Sequence, residues 1–244
     1  MTKTNQILLF GGGGVHDYEN ICPVLERYLR AEPSFSIDYL IEDYDVFLED
    51  RVTAYDLVVI YHTGGSLTQE QSQGLTQHVA QGCGFVGVHS AADSFRSSRE
   101  YIAMLGGELS AHPCIRKFIV SLNDAVPGIV SHITHPVTRD MKGYTVKDWE
   151  NWPIFEYHVE DEQYFLDYDP GVDVIASTIF KGKSHPVAWT KTWGKGRVMY
   201  TCLGHNMTAI QPPVFKDLFT NGCRWAAGLI PNEREEGGGS CPIS

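Results

Sequence analysis

Residues 82–95 read GCGFVGVHSAADSF, and this stretch decides which fold the rest of the chain adopts. A short run of β-formers, residues 85–88, stops at the polar pair His89-Ser90, and small residues then begin a predicted helix. This outline is typical of a sharp strand-to-helix turn, which raises one reactive side chain above the edge of a parallel sheet. The residue at its tip is His89, where such an elbow more often carries serine or cysteine. The sequence therefore predicts an α/β fold with a histidine at its most prominent position.

The chain before this elbow alternates between predicted strands and helices. Strands are predicted at residues 7–10, 35–40 and 55–61, and helices at about 21–29 and 69–81, the second of which Thr68 can cap. Such alternation predicts a mostly parallel sheet, whose strands end at one edge, where open α/β folds bind their ligands. We therefore expect the functional site at the carboxyl edge of these strands.

The chain after the elbow has a less regular pattern. A loop-rich insertion with many aromatic and acidic residues is predicted near 135–170, which in a compact domain favours a binding role. Regular elements are predicted on both sides of it: a helix at 100–105, strands at 117–122, 130–133, 173–177, 186–190 and 196–201, a hairpin turn at 191–195 and a closing helix at 214–228. We expect one α/β domain over residues 1–232, followed by a flexible tail at 233–244.

Composition restricts the class of partner. The net charge of −11 and the isoelectric point near 5.3 argue against nucleic acid and anionic membranes, because both would be repelled. A small neutral or cationic ligand fits better, and a homo-oligomer is possible. The six cysteines show no paired spacing, so we expect reduced and mostly buried thiols. The N-terminus runs into a short strand without a signal-like apolar segment, which predicts a cytoplasmic protein.

Two local motifs resemble functional sites, a phosphate-binding loop and a cysteine nucleophile, but the surrounding residues argue against both functions. The four glycines at residues 11–14 resemble a phosphate-binding loop, but neither GxxxxGK[ST] nor a complete GxGxxG motif is present, which argues against nucleotide binding. Cys202 lies three residues before His205 at an apolar strand end, where a buried thiol is expected rather than a nucleophile.

Four histidines, His16, His62, His89 and His205, stand where predicted strands give way to loops. Imidazole titrates near neutral pH, so such a cluster can carry acid–base chemistry or bind a metal. The alternative is that each histidine only forms hydrogen bonds within its loop. No HExxH motif and no pair of histidines at i, i+4 is present, so a metal site would have to be assembled from separate loops.

The insertion offers carboxylates beside aromatic rings. Glu162 belongs to the acidic run at residues 160–162, and Tyr164 follows it, with Trp149, Trp152 and Tyr157 upstream. A charge run is often only a solvated surface. Aromatic faces beside carboxylates, however, also suit the apolar faces and hydroxyl groups of a sugar.

Eight short motifs together resemble the trehalose-utilisation (ThuA-like) family across nearly the whole chain. They are GFVGVHS (84–90), HPVTR (135–139), DEQY (161–164), PVAWT (186–190), GKGRV (194–198), YT (200–201), LGH (203–205) and WAAG (225–228). The resemblance implies a flavodoxin-like three-layer sandwich with a mostly parallel central sheet, similar to class I glutamine amidotransferases.

The same resemblance implies how the site has changed relative to those amidotransferases. His89 would occupy the elbow of their cysteine nucleophile, His205 would lie near their catalytic histidine, and Gly64-Gly65 would correspond to their oxyanion-hole loop. Glutamine hydrolysis through a thioester is not expected, because imidazole does not supply a thiolate. The family implies carbohydrate metabolism instead, with trehalose, related disaccharides or their 3-keto derivatives as substrates.

These observations lead to three hypotheses. The first is a sugar isomerase, lyase or hydrolase in which His89, His205 and Glu162 are catalytic. Its substrate-binding residues would be His16, Asp17, Gly64, Gly65, Asp93, His112 and Tyr164. The second is a non-catalytic sugar- or partner-binding domain on the same scaffold. The third makes the site a divalent metal centre built from His16, His89, His112 or His205 with a carboxylate; no cofactor is otherwise predicted.

Overall fold

The computed structural model describes residues 4–122, 135–139, 141, 144–145 and 153–231. The first part of the chain contains β1 (Asn5–Gly12), α1 (Tyr18–Leu29), β2 (Phe35–Ile41), α2 (Glu49–Val52), β3 (Leu57–His62), α3 (Gln69–Gln81), β4 (Gly84–Val88), α4 (Arg99–Leu105), β5 (Gly107–Ala111) and β6 (Arg116–Leu122). The second part contains β7 (Tyr144–Thr145), β8 (Pro153–Ile154), β9 (Glu156–Asp161), β10 (Phe165–Tyr168), β11 (Asp173–Phe180), β12 (Lys183–Trp193), β13 (Gly196–Thr201), α5 (Met207–Ile210) and α6 (Pro213–Ala226). One-turn 3-10 helices cover Tyr44–Phe47 and His89–Asp93.

A nine-stranded sheet of order β2-β1-β3-β4-β13-β12-β11-β6-β9 forms the middle layer. The five strands from β2 to β13 are parallel, and the four from β12 to β9 are joined antiparallel. Helices α1 and α6 contact each other on one face, whereas α3 and α4 contact each other on the opposite face, and both groups reach β13. This arrangement is the predicted three-layer α/β sandwich of flavodoxin-like type.

The central strands are buried because their sequences leave no polar face. All six residues of β3 and all five of β4 are buried, as expected for parallel strands covered on both sides. Helix α3 begins with the predicted cap: the Thr68 side chain accepts a hydrogen bond from the Gln71 amide, and the Gln71 side chain accepts one from the Thr68 amide. Because strands β1, β3, β4 and β13 are parallel, they end together at one edge of the sheet.

Part of the segment predicted as a loop-rich insertion, near 135–170, forms strands in the described residues. The residues of β9 alternate between exposed and buried, and β9 pairs with β6 at the sheet edge, while β10 pairs with β5. The helix predicted directly after the elbow is a single 3-10 turn, and the hairpin turn is shorter than predicted, because β12 continues to Trp193. The predicted strand at 130–133 and the tail at 233–244 lie outside the described residues.

The described helices do not include one long and apolar enough to cross a membrane. Of the five cysteines in the described part of the chain, Cys22, Cys83, Cys202 and Cys223 are buried and Cys114 is exposed; all five are free thiols. This distribution matches the expectation of reduced and mostly buried cysteines.

Candidate active site

Three histidines and one glutamate converge at the carboxyl edge of the parallel strands. His16, His89, Glu162 and His205 each direct one nitrogen or oxygen atom inward, and these four atoms lie within 4.8 Å of one another. We call these four residues the histidine–carboxylate cluster. Three of its members follow β1, β4 and β13, while Glu162 directly follows β9, from the antiparallel side of the sheet. The fold thus brings together residues that are far apart in the sequence.

His89 lies at the tip of the elbow in a strained backbone conformation. Its φ of 48° is in the left-handed region, which costs a residue other than glycine roughly 1–3 kcal/mol. The surrounding contacts hold it there: its Nδ1 lies 2.7 Å from the carbonyl oxygen of Cys202, and the Tyr200 hydroxyl donates a 2.8 Å hydrogen bond to the His89 carbonyl. Because a carbonyl only accepts, Nδ1 carries a proton, and the unprotonated nitrogen of the neutral ring is Nε2, which faces the cluster.

His16 is positioned by the glycine-rich loop after β1. Gly13 has a φ of 82°, and a Cβ atom there would lie 2.1 Å from the carbonyl oxygen of Thr63, so only glycine allows the two loops to approach. The His16 Nδ1 then lies 2.6 Å from the Thr63 hydroxyl, and its Nε2 lies 3.2 Å from Nε2 of His89. The glycines therefore serve close backbone packing that places His16.

Asp161 fixes the other two members of the cluster. This buried carboxylate accepts hydrogen bonds from the backbone amides of Gly204 at 2.7 Å, His205 at 3.1 Å and Glu162 at 2.8 Å. Each bond to a carboxylate is stronger than a neutral one, and together they tie the end of β9 to the loop after β13. Asp161 is a positioning residue: its side chain orders the backbone on which Glu162 and His205 are carried.

Glu162 is the centre of the electrostatic contacts. Its Oε2 lies 3.1 Å from Nδ1 of His205, 3.6 Å from Nε2 of His89 and 4.0 Å from Nε2 of His16. The shortest of these contacts is not aligned as a hydrogen bond, so the buried Nδ1 of His205 has no hydrogen-bond partner. The four inward atoms therefore surround a common point rather than forming a closed hydrogen-bond network.

Burial sets the protonation of the cluster. Burial is the main cause that lowers the pKa of His16 to about 3, and the neighbouring His89 and His205 act in the same direction. Burial, with His89 next, also lowers the pKa of His205. Burial raises the pKa of Glu162, but contacts with His89 and His205 outweigh it, so the pKa lies below its usual value. At neutral pH the carboxylate is ionised, and His16 and His205 are uncharged.

Two residues form the outer rim of the cluster. His112 is 41% exposed, and its Nδ1 lies 2.8 Å from Oε1 of Glu162, the oxygen that faces away from the other histidines. The buried ring of Tyr164 lies 4.4 Å from the ring of His89, at an angle of 32°. His205 is 24% exposed, so solvent and small molecules reach the cluster from the side of His112 and His205.

The other predicted binding residues lie outside the cluster. The exposed Asp17 accepts two hydrogen bonds from Asn20, at 2.9 and 3.0 Å, and Asp93 lies 3.1 Å from the Arg96 guanidinium. The Gly64 amide donates to the carbonyl of Asp93, so this amide is not a free oxyanion-hole donor. A Cβ at Gly65 would lie 2.8 Å from the Tyr44 hydroxyl.

The predicted grouping of four strand-end histidines is incomplete, because His62 lies apart. Its ring stacks against Phe10 and Phe95, with centroid distances of 5.5 and 5.0 Å, and its Nε2 lies 3.0 Å from the Tyr44 hydroxyl. The sequence identified the positioning residue Asp161 only as part of the acidic run at 160–162, which could supply a carboxylate that orients a histidine, and it did not single out Thr63. The role of Asp161 could have been inferred from the alternating pattern of β9, in which Tyr157, Val159 and Asp161 are the buried residues. Trp149 and Trp152 lie outside the described residues.

Several known proteins share this fold. The chain is similar to a ThuA-like protein from Parabacteroides merdae ATCC 43184, with a TM-score of 0.76 and 20% identity over 95% of this chain and 93% of that one. A ThuA-like protein from Bacteroides uniformis ATCC 8492 gives a TM-score of 0.70 and 17% identity over 93% of both chains. The cold-adapted β-galactosidase from Rahnella sp. R3 gives 0.59 and 14% identity over 94% of this chain but only 32% of its own length.

The amino-acid sequence itself matches a family. A search of curated protein sequences finds no match. A family model, ThuA, described as trehalose utilisation, matches residues 6–226, which include all four members of the histidine–carboxylate cluster. The resemblance carried by the eight sequence motifs is thereby confirmed, and the chain belongs to the trehalose-utilisation family, ThuA.

Proposed function

We propose that this protein is an enzyme of carbohydrate metabolism that acts on a disaccharide or its 3-keto derivative through the histidine–carboxylate cluster. The observation that carries the proposal is the convergence of three imidazoles and an ionised carboxylate within 4.8 Å, at the sheet edge where α/β enzymes bind substrates. Membership of a family described by trehalose utilisation supports a sugar as the substrate.

The charge states of the cluster favour base catalysis over acid catalysis. In the neutral ring of His89 the lone pair lies on Nε2, and the lowered pKa values of His16 and His205 keep these two imidazoles uncharged at neutral pH. An uncharged imidazole beside a carboxylate can remove a proton from a hydroxyl group or from the carbon next to a ketone. Isomerisation and elimination of a 3-keto-sugar both begin with such a step, and hydrolysis requires a positioned water in addition.

The rim offers contacts for the sugar itself. His112 stands beside the accessible side of Glu162, whereas the ring of Tyr164 is buried against the rings of His89 and His112. Imidazole and carboxylate groups form hydrogen bonds with the hydroxyls of a sugar. We therefore assign substrate positioning to His112, and Tyr164 packs behind it.

Glutamine amidotransferase activity is not part of the proposal. The elbow carries His89 instead of a cysteine, and the nearby Cys202 is fully buried, which raises the pKa of its thiol and removes the thiolate that a thioester requires. Its carbonyl oxygen, by contrast, orients His89. The cysteine that sequence spacing makes conspicuous thus contributes through its backbone.

Activity is tested by incubating the wild-type protein with trehalose, other disaccharides and their 3-keto derivatives. Products are followed by proton NMR and by chromatography coupled to mass spectrometry, because an isomer has the same mass as its substrate. We expect turnover of at least one keto-sugar and a decrease of about 10²–10⁴-fold in Glu162→Gln. The matched control is His158→Asn, an exposed histidine on β9 that is remote from the cluster contacts, and it should retain wild-type turnover.

Two results would contradict this proposal. Full activity in Glu162→Gln would remove the cluster from the reaction. Absence of product across the panel, combined with ligand-dependent thermal stabilisation, would establish the alternative of a non-catalytic sugar-binding domain.

A further inference from the structure

We infer that the histidine–carboxylate cluster binds one divalent first-row transition metal ion, through Nε2 of His16 and His89, Nδ1 of His205 and Oε2 of Glu162. The inference deepens the proposed function by naming the cofactor of the same site. The chemistry assigned to the ion rests on the proposed function. Binding of the ion is argued only from the arrangement of these four side chains.

The distances between the four atoms suit a single ion. Bonds of about 2.1 Å place two donor atoms roughly 3.0 Å apart at a right angle, 3.4 Å apart at a tetrahedral angle and 4.2 Å apart on opposite sides of the ion. The observed separations are 3.2 Å for His16–His89, 3.1 Å for His205–Glu162, 3.6 Å for His89–Glu162 and 4.0 Å for His16–Glu162. With no pair beyond 4.8 Å, a small contraction completes the site.

Lone pairs point at the common centre. The carbonyl of Cys202 fixes the proton of His89 on Nδ1, which leaves Nε2 free to bind an ion. The Thr63 hydroxyl lies 2.6 Å from Nδ1 of His16 and can accept a hydrogen bond from Nδ1–H, which leaves Nε2 of that ring unprotonated in the same way. The buried Nδ1 of His205 has no hydrogen-bond partner. A hydrogen-bonded network alone leaves this last atom unsatisfied, whereas a metal ion satisfies it.

The charge of the site also calls for a cation. Among the described residues, Glu162 makes its close ion-pair contacts with His16, His89, His112 and His205, and with no lysine or arginine. A largely buried carboxylate without a fixed positive partner is costly, and a divalent ion supplies that partner. His112 contacts the second oxygen of Glu162 and so orients the carboxylate from outside the ligand set.

The donor types select the class of ion. Three imidazole nitrogens and one carboxylate oxygen suit zinc, manganese, iron, cobalt or nickel, whereas magnesium and calcium prefer oxygen ligands throughout. The side of the cluster next to His205 is open to solvent, which leaves room for a water or a sugar oxygen on the ion. Imidazole nitrogens that bind the ion cannot also remove a proton, so in the metal-bound enzyme the ion would provide the activation, by Lewis-acid polarisation of a sugar hydroxyl or carbonyl oxygen.

The test measures metal content and metal binding, not activity. Protein purified without chelators or added metal is analysed for zinc, manganese, iron, cobalt and nickel, and chelator-treated protein is titrated with Zn²⁺ and Mn²⁺ by calorimetry. We expect one ion per chain, with an affinity at least about 100-fold lower in His16→Asn and in Glu162→Gln. The His112→Asn variant should lose about 10–100-fold, as for other groups that orient a ligand. His158→Asn should bind as the wild type does.

Far-UV circular dichroism of each variant separates loss of the site from loss of the fold. Absence of a stoichiometric ion, both after purification and after titration, would overturn the inference, as would wild-type affinity in both His16→Asn and Glu162→Gln. Neither result bears on whether the protein converts a sugar, so failure of this inference is distinguishable from failure of the proposed function.

Discussion

Two histidines at the ends of neighbouring parallel strands have different surroundings in this fold. His62 is the last residue of β3, and its ring is enclosed between Phe10 and Phe95. His89 is the first residue after β4, and its left-handed backbone turns the ring toward His16 and Glu162. Sequence position alone does not distinguish them. The direction in which the backbone leaves the strand determines whether a strand-end histidine becomes part of the core or part of the site.

The largest effect should come from replacing the imidazole at each of these two positions in turn. His89→Asn keeps a residue type that tolerates the left-handed conformation but removes the imidazole. We expect turnover about 10²–10⁴-fold below wild type, with the fold retained. His62→Phe keeps a ring between Phe10 and Phe95 and loses the hydrogen bond to Tyr44, so turnover should stay near wild type while stability falls by about 1 kcal/mol.

Steady-state kinetics and urea unfolding of both variants provide the measurement. If His62→Phe loses as much turnover as His89→Asn, the distinction between a core histidine and a site histidine is wrong.

A smaller effect is expected from Asp161, which anchors the cluster without belonging to it. In Asp161→Asn the amide nitrogen cannot accept one of the three backbone hydrogen bonds that the carboxylate receives. We expect the free energy of unfolding to fall by about 1–3 kcal/mol. We also expect affinity for Zn²⁺ to fall about 10–100-fold, because His205 and Glu162 are no longer held in place.

The neighbouring residue on the same strand provides the control for this variant. Glu160 is half-exposed and lies 3.9 Å from Lys117. Glu160→Gln should therefore change neither the free energy of unfolding nor the affinity for Zn²⁺ appreciably. Equal losses of stability and Zn²⁺ affinity in the two variants would show that removal of a negative charge, not loss of the hydrogen bonds of Asp161, is responsible.

The smallest effect concerns the pH dependence of the stability that His62 contributes. Burial lowers the pKa of His62 below its usual 6.5, against the opposing effect of Glu42. The unfolded chain therefore binds this proton more readily than the folded one, so the stability that His62 contributes is present above about pH 6.5 and decreases on acidification, by at most about 1.4 kcal/mol per pH unit. His16 has the same sign and remains in the His62→Phe variant.

The difference in unfolding free energy between wild type and His62→Phe should consequently narrow from about pH 7.5 to about pH 5. Urea denaturation in the presence of a chelator measures it. Parallel pH dependences would mean that His62 is equally protonated in the folded and unfolded chains.

Much of the fold could be predicted from the sequence, because its signals are local. The apolar runs of β1, β3 and β4 mark buried parallel strands, and the rule that parallel strands end at one edge brings His16, His89 and His205 together. The strand β9 was not predicted, because its alternation includes a charged residue at an inward position, Asp161. That charge is tolerated only because distant backbone amides satisfy it, and sequence spacing does not reveal such partners.

The cluster also constrains how the protein reaches its native state. Its members come from residues 16, 89, 162 and 205, so loops spanning most of the chain must close before all four side chains meet. A fragment that ends before β13 lacks His205, and one that begins at α1 lacks His16. Occupancy of the complete site is therefore a late event in folding, and any ligand of the cluster acts as a selective reporter, and a stabiliser, of the fully assembled sheet.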